Sequence, residues 1–131
     1  MLLVKTNLNL SPINCIGLFA NEFIPKGKVI WKFTPQVDLR YDQATYQQLK
    51  QQHNFEVLDK YIYKSRVSGL YILCADDARF INHAGNPNTR DTLEDAEGLT
   101  IAAVDILPGD EITSDYGAFD ADYDTYKHLL H

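Results

Sequence analysis

Short apolar stretches alternate with Pro- and Gly-containing turns along the chain, and most of them are only long enough for a short strand. Their β-branched and aromatic content favours strands over helices. The stretches that predict strands are "LLVKT" (2–6), "IGLFA" (16–20), "KVIWKF" (28–33), "GLYILCAD" (69–76), "LTIAAVDI" (99–106) and the start of "EITSDYG" (111–117). The turns between them include "IPKG" (24–27) and "LPGDE" (107–111).

Helical patterns are fewer. Residues 42–53, "DQATYQQLKQQH", predict a helix that Asp42 can cap at its amino end. Residues 54–67 fit a helical stripe and a strand equally well, and "DADYDTYKHLLH" (120–131) predicts a closing helix. These elements together predict an α+β fold made mostly of small β-sheets.

Composition and charge narrow the class of protein. The 131 residues fit one domain, 1–131, and the 45% hydrophobic content is enough for a core. No apolar run approaches the roughly 20 residues that cross a bilayer, and the start lacks a signal-peptide pattern, so we expect a cytoplasmic or nuclear protein without a membrane contact. A net charge of −6 argues against direct nucleic-acid binding and is compatible with a basic protein partner.

Several kinds of catalytic site are disfavoured by the motifs. There is no G-x-S-x-G nucleophile motif and no phosphate-binding Gly loop. Cys74 lies within a strand pattern, which favours a core thiol over a nucleophile, and in a reducing compartment Cys15 and Cys74 are expected to be buried thiols rather than a disulfide. His83 with Asp76, Asp77 or Asp115 lacks a recognisable metal-ligand spacing, so no metal is expected.

Two polar motifs remain, and they carry the strongest signal. "RFINHAGNPN" (79–88) holds more hydrogen-bonding side chains than a turn requires, and "ILPGDEITSDYG" (106–117) follows it after a hydrophobic strand. Together with "IGLFANEFIPKGKVI" (16–30), these motifs resemble, in order, the three motifs of the SET domain, the fold of S-adenosylmethionine-dependent protein lysine methyltransferases. The resemblance covers essentially the whole chain and implies a SET-domain fold with a C-terminal pseudoknot, in which the segments carrying "NHAGNPN" and "DYG" pass through one another.

The resemblance also implies the residues that bind the cofactor S-adenosylmethionine. Asn82 would hold its amino-acid end, the His83 main chain would meet the adenine, and Tyr116 would be the catalytic tyrosine beside it. The loop Asn14, Cys15, Ile16 and Gly17 would lend backbone groups. The first glycine of the family's opening motif is Cys15 here, and a side chain at this position would crowd the loop or force other backbone angles.

The substrate channel is implied in the same way. Ser114 occupies a position where many members carry Tyr or Phe, and its small side chain would leave room for di- or trimethylation. The zinc segment that often closes the channel is missing, so its role would pass to Phe119, Tyr123 or Tyr126, although these aromatics could equally be packing residues. Residues 34–69 match the family poorly and correspond to its variable insert.

The resemblance implies methyl transfer to a lysine amine in a basic segment of a protein, with a histone or histone-like tail as the natural substrate. The acidic loop 94–97 could assist capture, although such a loop is more often solvated surface. The alternative function is a catalytically weak SET-fold module that binds peptides or proteins without turnover. A homodimer that completes the channel is an open alternative to a monomer.

Overall fold

The structure is a computed structural model, and it describes residues 1–130. Its elements are short, as the spacing of the apolar stretches predicts. The strands are β1 (Thr6–Leu10), β2 (Ile16–Ala20), β3 (Val29–Lys32), β4 (Leu39–Tyr41), β5 (Tyr63–Lys64), β6 (Tyr71–Leu73), β7 (Asn82–His83), β8 (Thr89–Asp91), β9 (Leu99–Ala102) and β10 (Thr113–Ser114). The helices are α1 (Gln43–Lys50), α2 (Glu56–Asp59), α3 (Tyr116–Phe119) and α4 (Tyr123–Tyr126).

The strands form four small sheets rather than one large sheet. β1 pairs with β2, β3-β9-β8 and β4-β6-β5 are three-stranded, and β10 pairs with β7. All pairs are antiparallel except β7–β10, which is parallel. The β7–β10 pair brings together the two segments that carry "NHAGNPN" and "DYG". The α+β class and the small sheets are therefore confirmed.

Two apolar clusters form the core. The first contains mainly aliphatic side chains and the second is built around Trp31 and Phe33. Leu2 and Ile81 are partly buried and pack against both clusters, so the clusters form a continuous interior. The fully buried large side chains are Leu18, Ile24, Ile30, Ile72, Ile106 and Ile112.

The insert 34–69 is built into the fold through β6. Its strands β4 and β5 flank β6 on both sides. The end of α3 and the chain just after it also contact the insert. Arg66 N donates to Phe119 O at 3.0 Å, and Ala121 N donates to Lys64 O at 2.8 Å. The insert therefore positions the carboxyl-terminal segment.

Most element predictions are confirmed, and two are wrong. Asp42 caps α1 by accepting a hydrogen bond from Thr45 N at 2.7 Å, and 54–67 contains both a helix, α2, and a strand, β5. The first strand is not 2–6 but Thr6–Leu10, because the pairing with β2 begins at Thr6 and Leu2 makes only an isolated bridge to Trp31.

The closing helix predicted over 120–131 is also wrong. The chain breaks at Asp120, which pairs with Ser65 in an isolated bridge, and continues as α4 and a 3-10 turn over Lys127–Leu129. The side chain of Asp120 accepts from Asp122 N at 2.9 Å, which turns the chain there. Residue 131, the last residue of this predicted helix, lies outside the described residues. No helix among residues 1–130 is long and apolar enough to cross a bilayer.

Candidate active site

The loop before β2 is a compact turn held by its own hydrogen bonds. Ser11 N donates to Cys15 O at 3.0 Å, and Ser11 Oγ accepts from Ile13 N at 2.9 Å. Cys15 has a φ of 41°, in the left-handed region that favours glycine. Its thiol is free and exposed, so the prediction that both thiols are buried is wrong for Cys15. The cysteine is accommodated because its side chain points outward while its backbone takes glycine-like angles.

Asn82 ties this loop to the rest of the site. Its side chain is 6% exposed, and Nδ2 lies close to four acceptors. These acceptors are Ser11 Oγ (3.2 Å), Asn14 O (3.3 Å), Ile16 O (3.2 Å) and Glu111 Oε1 (2.9 Å). Carbonyl and carboxylate oxygens accept only, so they fix the orientation of the amide, with nitrogen towards the loop. Asn82 Oδ1 accepts no hydrogen bond from residues 1–130 and is left for another donor.

Glu111 completes the same contact network and explains the glycine at position 17. Ser11 Oγ lies 2.8 Å from Glu111 Oε1 and 2.9 Å from Oε2. A Cβ on Gly17 would lie 2.1 Å from Glu111 Oε1 and 3.0 Å from Ser11 Cβ. Because Ser11 and Asn82 both hold the carboxylate, it has little freedom to move away. Ser11, Gly17, Asn82 and Glu111 are called the loop anchor below.

The second half of "RFINHAGNPN" joins β8 to β10. Asn88 Nδ2 donates to Glu111 O at 2.7 Å, and Asn88 Oδ1 accepts from Thr113 N at 2.9 Å. Thr89 Oγ1 donates to Thr113 O at 2.7 Å and lies 2.9 Å from Ser114 Oγ. The polar richness of this motif therefore serves to bind three chain segments together.

His83 is oriented by the residue that follows β10. Its Nδ1 accepts a hydrogen bond from Tyr116 N at 3.1 Å, which places the proton of the neutral imidazole on Nε2. Asp115 Oδ1 is 3.9 Å from the same Nδ1, a weaker contact than this hydrogen bond. The ring packs against Tyr116 and Tyr123, with centroid distances of 5.2 and 5.5 Å.

Tyr116 begins α3, where the Asp115 side chain caps the helix by accepting from Gly117 N at 2.9 Å. The Tyr116 hydroxyl donates to Ile81 O at 2.6 Å. Burial, reinforced by the charge of Asp120, raises the pKa of Tyr116 to about 12. The phenol is therefore neutral near pH 7. Its hydrogen is engaged with Ile81, and its oxygen can still accept a hydrogen bond.

A cavity of about 580 Å³ joins the loop to Tyr116. This volume lies within the roughly 300–1,000 Å³ of small-molecule sites. It brings together seven of the predicted site residues: Asn14, Asn82, His83, Ser114, Tyr116, Phe119 and Tyr126. Other lining residues include Trp31, Lys60, Tyr61, Tyr63, Arg79, Asp91, Glu97, Thr100 and Asp120.

The remaining predicted site residues lie beside the cavity rather than on its wall. Cys15, Ile16 and Gly17 follow Asn14 in the loop, and Tyr123 packs against His83 without lining the cavity. Tyr126 lines the cavity, and its hydroxyl bonds to Asp120 Oδ2. Ser114 is 2% exposed and Phe119 packs edge-on against Tyr63 at 4.8 Å. The roles of these residues stay predictions.

The sequence reasoning missed several polar residues of the site. Glu111 lies inside the motif "ILPGDEITSDYG", which could have identified it. Ser11, Asp91 and Thr100 belong to none of the three motifs. Glu97, interpreted as part of a solvated loop, is 4% exposed and bonds Arg40 Nη1 at 3.1 Å and Ser68 Oγ at 2.7 Å. Burial against the insert thus removes Glu97 from the acidic surface.

Cys74 lies in the core, where burial raises the pKa of its thiol, as the prediction of an inert thiol requires. Within residues 1–130, no group of three or more His, Cys, Asp or Glu side chains is arranged to hold a metal ion.

Comparison with known proteins gives a family match and a set of structural neighbours. The sequence model of the SET domain matches residues 16–117. No curated protein sequence matches the chain significantly. Among solved structures, a Plasmodium falciparum protein named as a candidate histone methyltransferase matches with a TM-score of 0.62 and 19% identity. The match covers 87% of this chain and 94% of that protein.

Two further neighbours are Polycomb Repressive Complex 2 structures. One is ctPRC2 in an autoinhibited conformation bound to S-adenosylmethionine (TM-score 0.66, 20% identity), where the match covers 96% of this chain and 17% of the neighbour. The other is a humanized mutant of the Chaetomium thermophilum complex bound to the inhibitor GSK126 (TM-score 0.62, 20% identity), with coverage of 92% and 16%. At these identities the neighbours show a shared fold.

Proposed function

The chain belongs to the SET domain family, and on that basis we propose that it transfers a methyl group from S-adenosylmethionine to a lysine side chain of a protein. The observation that carries the proposal is the position of Tyr116. Tyr116, whose hydroxyl is anchored by Ile81 O, lines a cavity that also reaches Asn14, Asn82 and His83. The cofactor-bound neighbour and the neighbour named as a candidate histone methyltransferase support the same reaction class.

The residues present fit the proposed cofactor. The loop at Asn14 opens into the cavity, and Asn82 Oδ1 is free to accept a hydrogen bond from an α-ammonium group. His83 has its ring held by Tyr116 N, which fixes the strand β7 that would meet the adenine. When bound, S-adenosylmethionine supplies a methyl group on a positively charged sulfonium.

Tyr116 is suited to orienting the amine that receives the methyl group. A phenol whose pKa is about 12 cannot take a proton efficiently near pH 7, so Tyr116 is not the general base. Because its hydrogen is held by Ile81 O, the phenol oxygen faces a partner as an acceptor. It can accept an N–H of the lysine amine and direct the nitrogen lone pair towards the methyl group.

The aromatic wall would lower the cost of making the amine neutral. Deprotonation of a lysine with a reference pKa near 10.4 costs about 4 kcal/mol at pH 7.4. Tyr63 and Phe119 line the cavity and pack edge-on, which limits water near Tyr116. An apolar surrounding disfavours the ammonium form and so reduces this cost.

We propose a basic, lysine-containing protein segment such as a histone tail as the substrate, because the chain carries a net charge of −6. Ser114 is small and its hydroxyl is held by Thr89, so we further propose that two or three methyl groups are accepted. Mass spectrometry of the product at excess cofactor tests this multiplicity, and a strictly monomethylated product would contradict it.

The function is tested in two stages. Calorimetry with S-adenosylmethionine measures cofactor binding, and transfer of labelled methyl groups to an array of lysine peptides measures turnover. Tyr116→Phe should retain cofactor binding and lose most turnover, whereas Tyr41→Phe, a matched change away from the cavity, should change neither. Cofactor binding without transfer to any lysine would favour the alternative function, a SET-fold binding module.

A further inference from the structure

One row of side chains crosses the sheet β3-β9-β8 and lines the cavity. Thr100 in β9 pairs with Trp31 in β3 and with Asp91 in β8. Directly paired residues of antiparallel strands place their side chains on the same face. All three residues line the cavity, so this row forms part of its wall.

The row contains a buried acceptor and a buried donor that the protein leaves without partners. Thr100 Oγ1 donates to Asp91 Oδ1 at 2.7 Å, but Asp91 Oδ2 has no hydrogen-bond partner within residues 1–130. Trp31 Nε1 also has none within the same residues. Buried polar atoms are normally paired, and a carboxylate oxygen without a partner is costly. A wall of a cavity is where such an atom can be satisfied by a ligand.

Asp91 and Tyr116 line the same cavity and are linked through neighbouring residues. Thr89 and Asp91 are two residues apart in β8 and therefore point to the same face. Thr89 Oγ1 touches Ser114 Oγ at 2.9 Å, and Ser114 precedes Tyr116 by two residues. The helix α3, which begins at Tyr116, packs against β8. Asp91, Ser114 and Tyr116 all line the cavity.

The charges around Asp91 leave its carboxylate without a counter-ion. No Lys or Arg nitrogen of residues 1–130 lies within 4.0 Å of it, and the acid Glu97 is already paired with Arg40. Burial raises the pKa of Asp91 to about 6, the Thr100 hydrogen bond opposes this rise, and the charge of Asp115 adds to it. The carboxyl is therefore largely ionised at pH 7.4. The cavity is also lined by two cations, Lys60 (after α2) and Arg79 (before β7). The other titratable groups that line it or act on Asp91 are Asp59, Tyr61, Tyr63, Cys74, His83, Glu97, Asp115, Tyr116, Asp120 and Tyr126.

We propose that Asp91 binds the target lysine in its ammonium form through Oδ2, before the amine loses its proton and is methylated. An ammonium has three N–H donors and matches an ionised acceptor, whereas a sulfonium has no N–H to donate. The α-ammonium of the cofactor is expected at Asn82 instead. The aromatic rings of Trp31, Tyr63 and Tyr116 on the same cavity add a favourable surface for a cation. This inference rests on the proposed function for the identity of the ligand, but its test does not.

The first test uses a simple amine and does not require turnover. Trp31 is the only tryptophan of the chain and lies in the same row, so its indole N–H resonance reports occupancy of this wall. Titration with n-butylammonium at pH 7.4 should shift this resonance in the unaltered protein, with n-butanol as the neutral comparison. Asp91→Asn should weaken n-butylammonium binding by about tenfold or more, the effect expected from losing a charge-assisted hydrogen bond. Asp105→Asn, an exposed Asp whose side chain caps Lys26 N, should leave binding unchanged.

A second variant covers the case in which Asp91→Asn does not fold. Thr100→Val removes the hydrogen bond that opposes the raised pKa of Asp91, so the carboxyl should protonate at a higher pH. Binding of n-butylammonium should then be lost at a higher pH than in the unaltered protein, where the loss is centred near pH 6. The proposal is overturned if the unaltered protein and Asp91→Asn bind n-butylammonium equally well. It is also overturned if n-butylammonium binding does not depend on pH in either the unaltered protein or Thr100→Val.

Turnover supplies a separate readout once a peptide substrate is found. Asp91→Asn should raise the KM for the peptide by about tenfold or more while the calorimetric affinity for S-adenosylmethionine stays the same. Since an adjacent carboxylate favours the ammonium, its removal should also move the rise of kcat to lower pH. An unchanged KM overturns the role of Asp91. Absence of transfer by the unaltered protein instead counts against the proposed function, and the n-butylammonium result still decides the role of Asp91.

Discussion

The loop anchor predicts that the stability of the variant Asn82→Asp depends strongly on pH. In the native protein Asn82 Nδ2 is surrounded by four acceptors, one of which is the Glu111 carboxylate at 2.9 Å. The substitution keeps the shape of the side chain but replaces the donor with an acceptor. Two buried hydrogen bonds are lost, because the amide has two N–H groups, and two carboxylates are placed side by side.

The magnitude follows from the geometry. Two unit charges 2.9 Å apart repel by about 6 kcal/mol at an effective dielectric constant of ~20. Sharing one proton avoids this repulsion, but binding that proton at pH 7.5 to a carboxyl with a reference pKa near 4 costs about 5 kcal/mol. Either route leaves the variant roughly 5 kcal/mol less stable at pH 7.5, a large part of the stability of a typical domain.

The sign of the pH effect is opposite to that of a salt bridge. The folded variant holds one proton that the unfolded chain releases above about pH 4, so stability falls as pH rises. One extra bound proton gives about 1.4 kcal/mol per pH unit, hence up to about 4 kcal/mol between pH 4.5 and pH 7.5.

Urea unfolding at the two pH values, followed by the fluorescence of Trp31, measures this difference. Asn7→Asp in β1 is the matched control, because Asn7 is exposed. If Asn82→Asp and Asn7→Asp show the same pH dependence, or if Asn82→Asp loses less than about 1 kcal/mol at pH 7.5, the scale expected for one ordinary hydrogen bond, the loop anchor does not act as described.

The other predictions concern the loop, the tyrosine and the cavity wall. Cys15→Gly should stabilise the protein by about 1 kcal/mol in urea unfolding, because Cys15 has a φ of 41°; a loss of stability would show that its side chain packs. Tyr116→Phe should lower kcat by about 100-fold or more in the labelled methyl-transfer assay, the scale of a positioned catalytic group, and a change of less than threefold would remove it from catalysis. Asp91→Asn should stabilise the protein by up to about 3 kcal/mol at pH 7.5. The pKa of Asp91 is raised to about 6 in the folded protein, so the unaltered protein loses stability as the pH rises from about 4 to 6, and the variant avoids this loss. Urea unfolding should therefore show a smaller gain at about pH 4.5 than at about pH 7.5.

The fold could be predicted because its signals are local and ordered along the chain. The strand 16–20 and the helix capped by Asp42 depend on apolar runs and a single cap, and both are confirmed. The prediction of the first strand was wrong because "LLVKT" is the more apolar segment, whereas the segment that pairs with β2 is "TNLNL". The closing helix failed because Asp120 pairs with Ser65, more than fifty residues away, and no local pattern contains that contact.

The site was predictable only as far as its motifs reach. Asn82, His83 and Tyr116 were predicted through the resemblance. The resemblance did not show that the amide nitrogen of Asn82 donates to the loop and to Glu111. Asp91 could not be identified, since it belongs to none of the three motifs that carry the resemblance. Its chemistry arises from the register that sets Asp91 opposite Thr100 and from insert residues, such as Tyr63, that line the same cavity. Both depend on long-range pairing.

The enzyme and the binding module share the cavity, so only some of its residues can separate the two functions. Asp91 would hold a lysine ammonium in either case, and its free oxygen costs stability in either case. Cys15 does not favour the module over the enzyme, because its backbone takes the glycine-like angle and its thiol is exposed. The difference therefore rests on Tyr116. A module needs its ring for packing only, which Phe would provide, whereas an enzyme also needs the oxygen that Ile81 holds in place. A Tyr116→Phe variant that binds n-butylammonium normally and loses transfer is expected only of the enzyme.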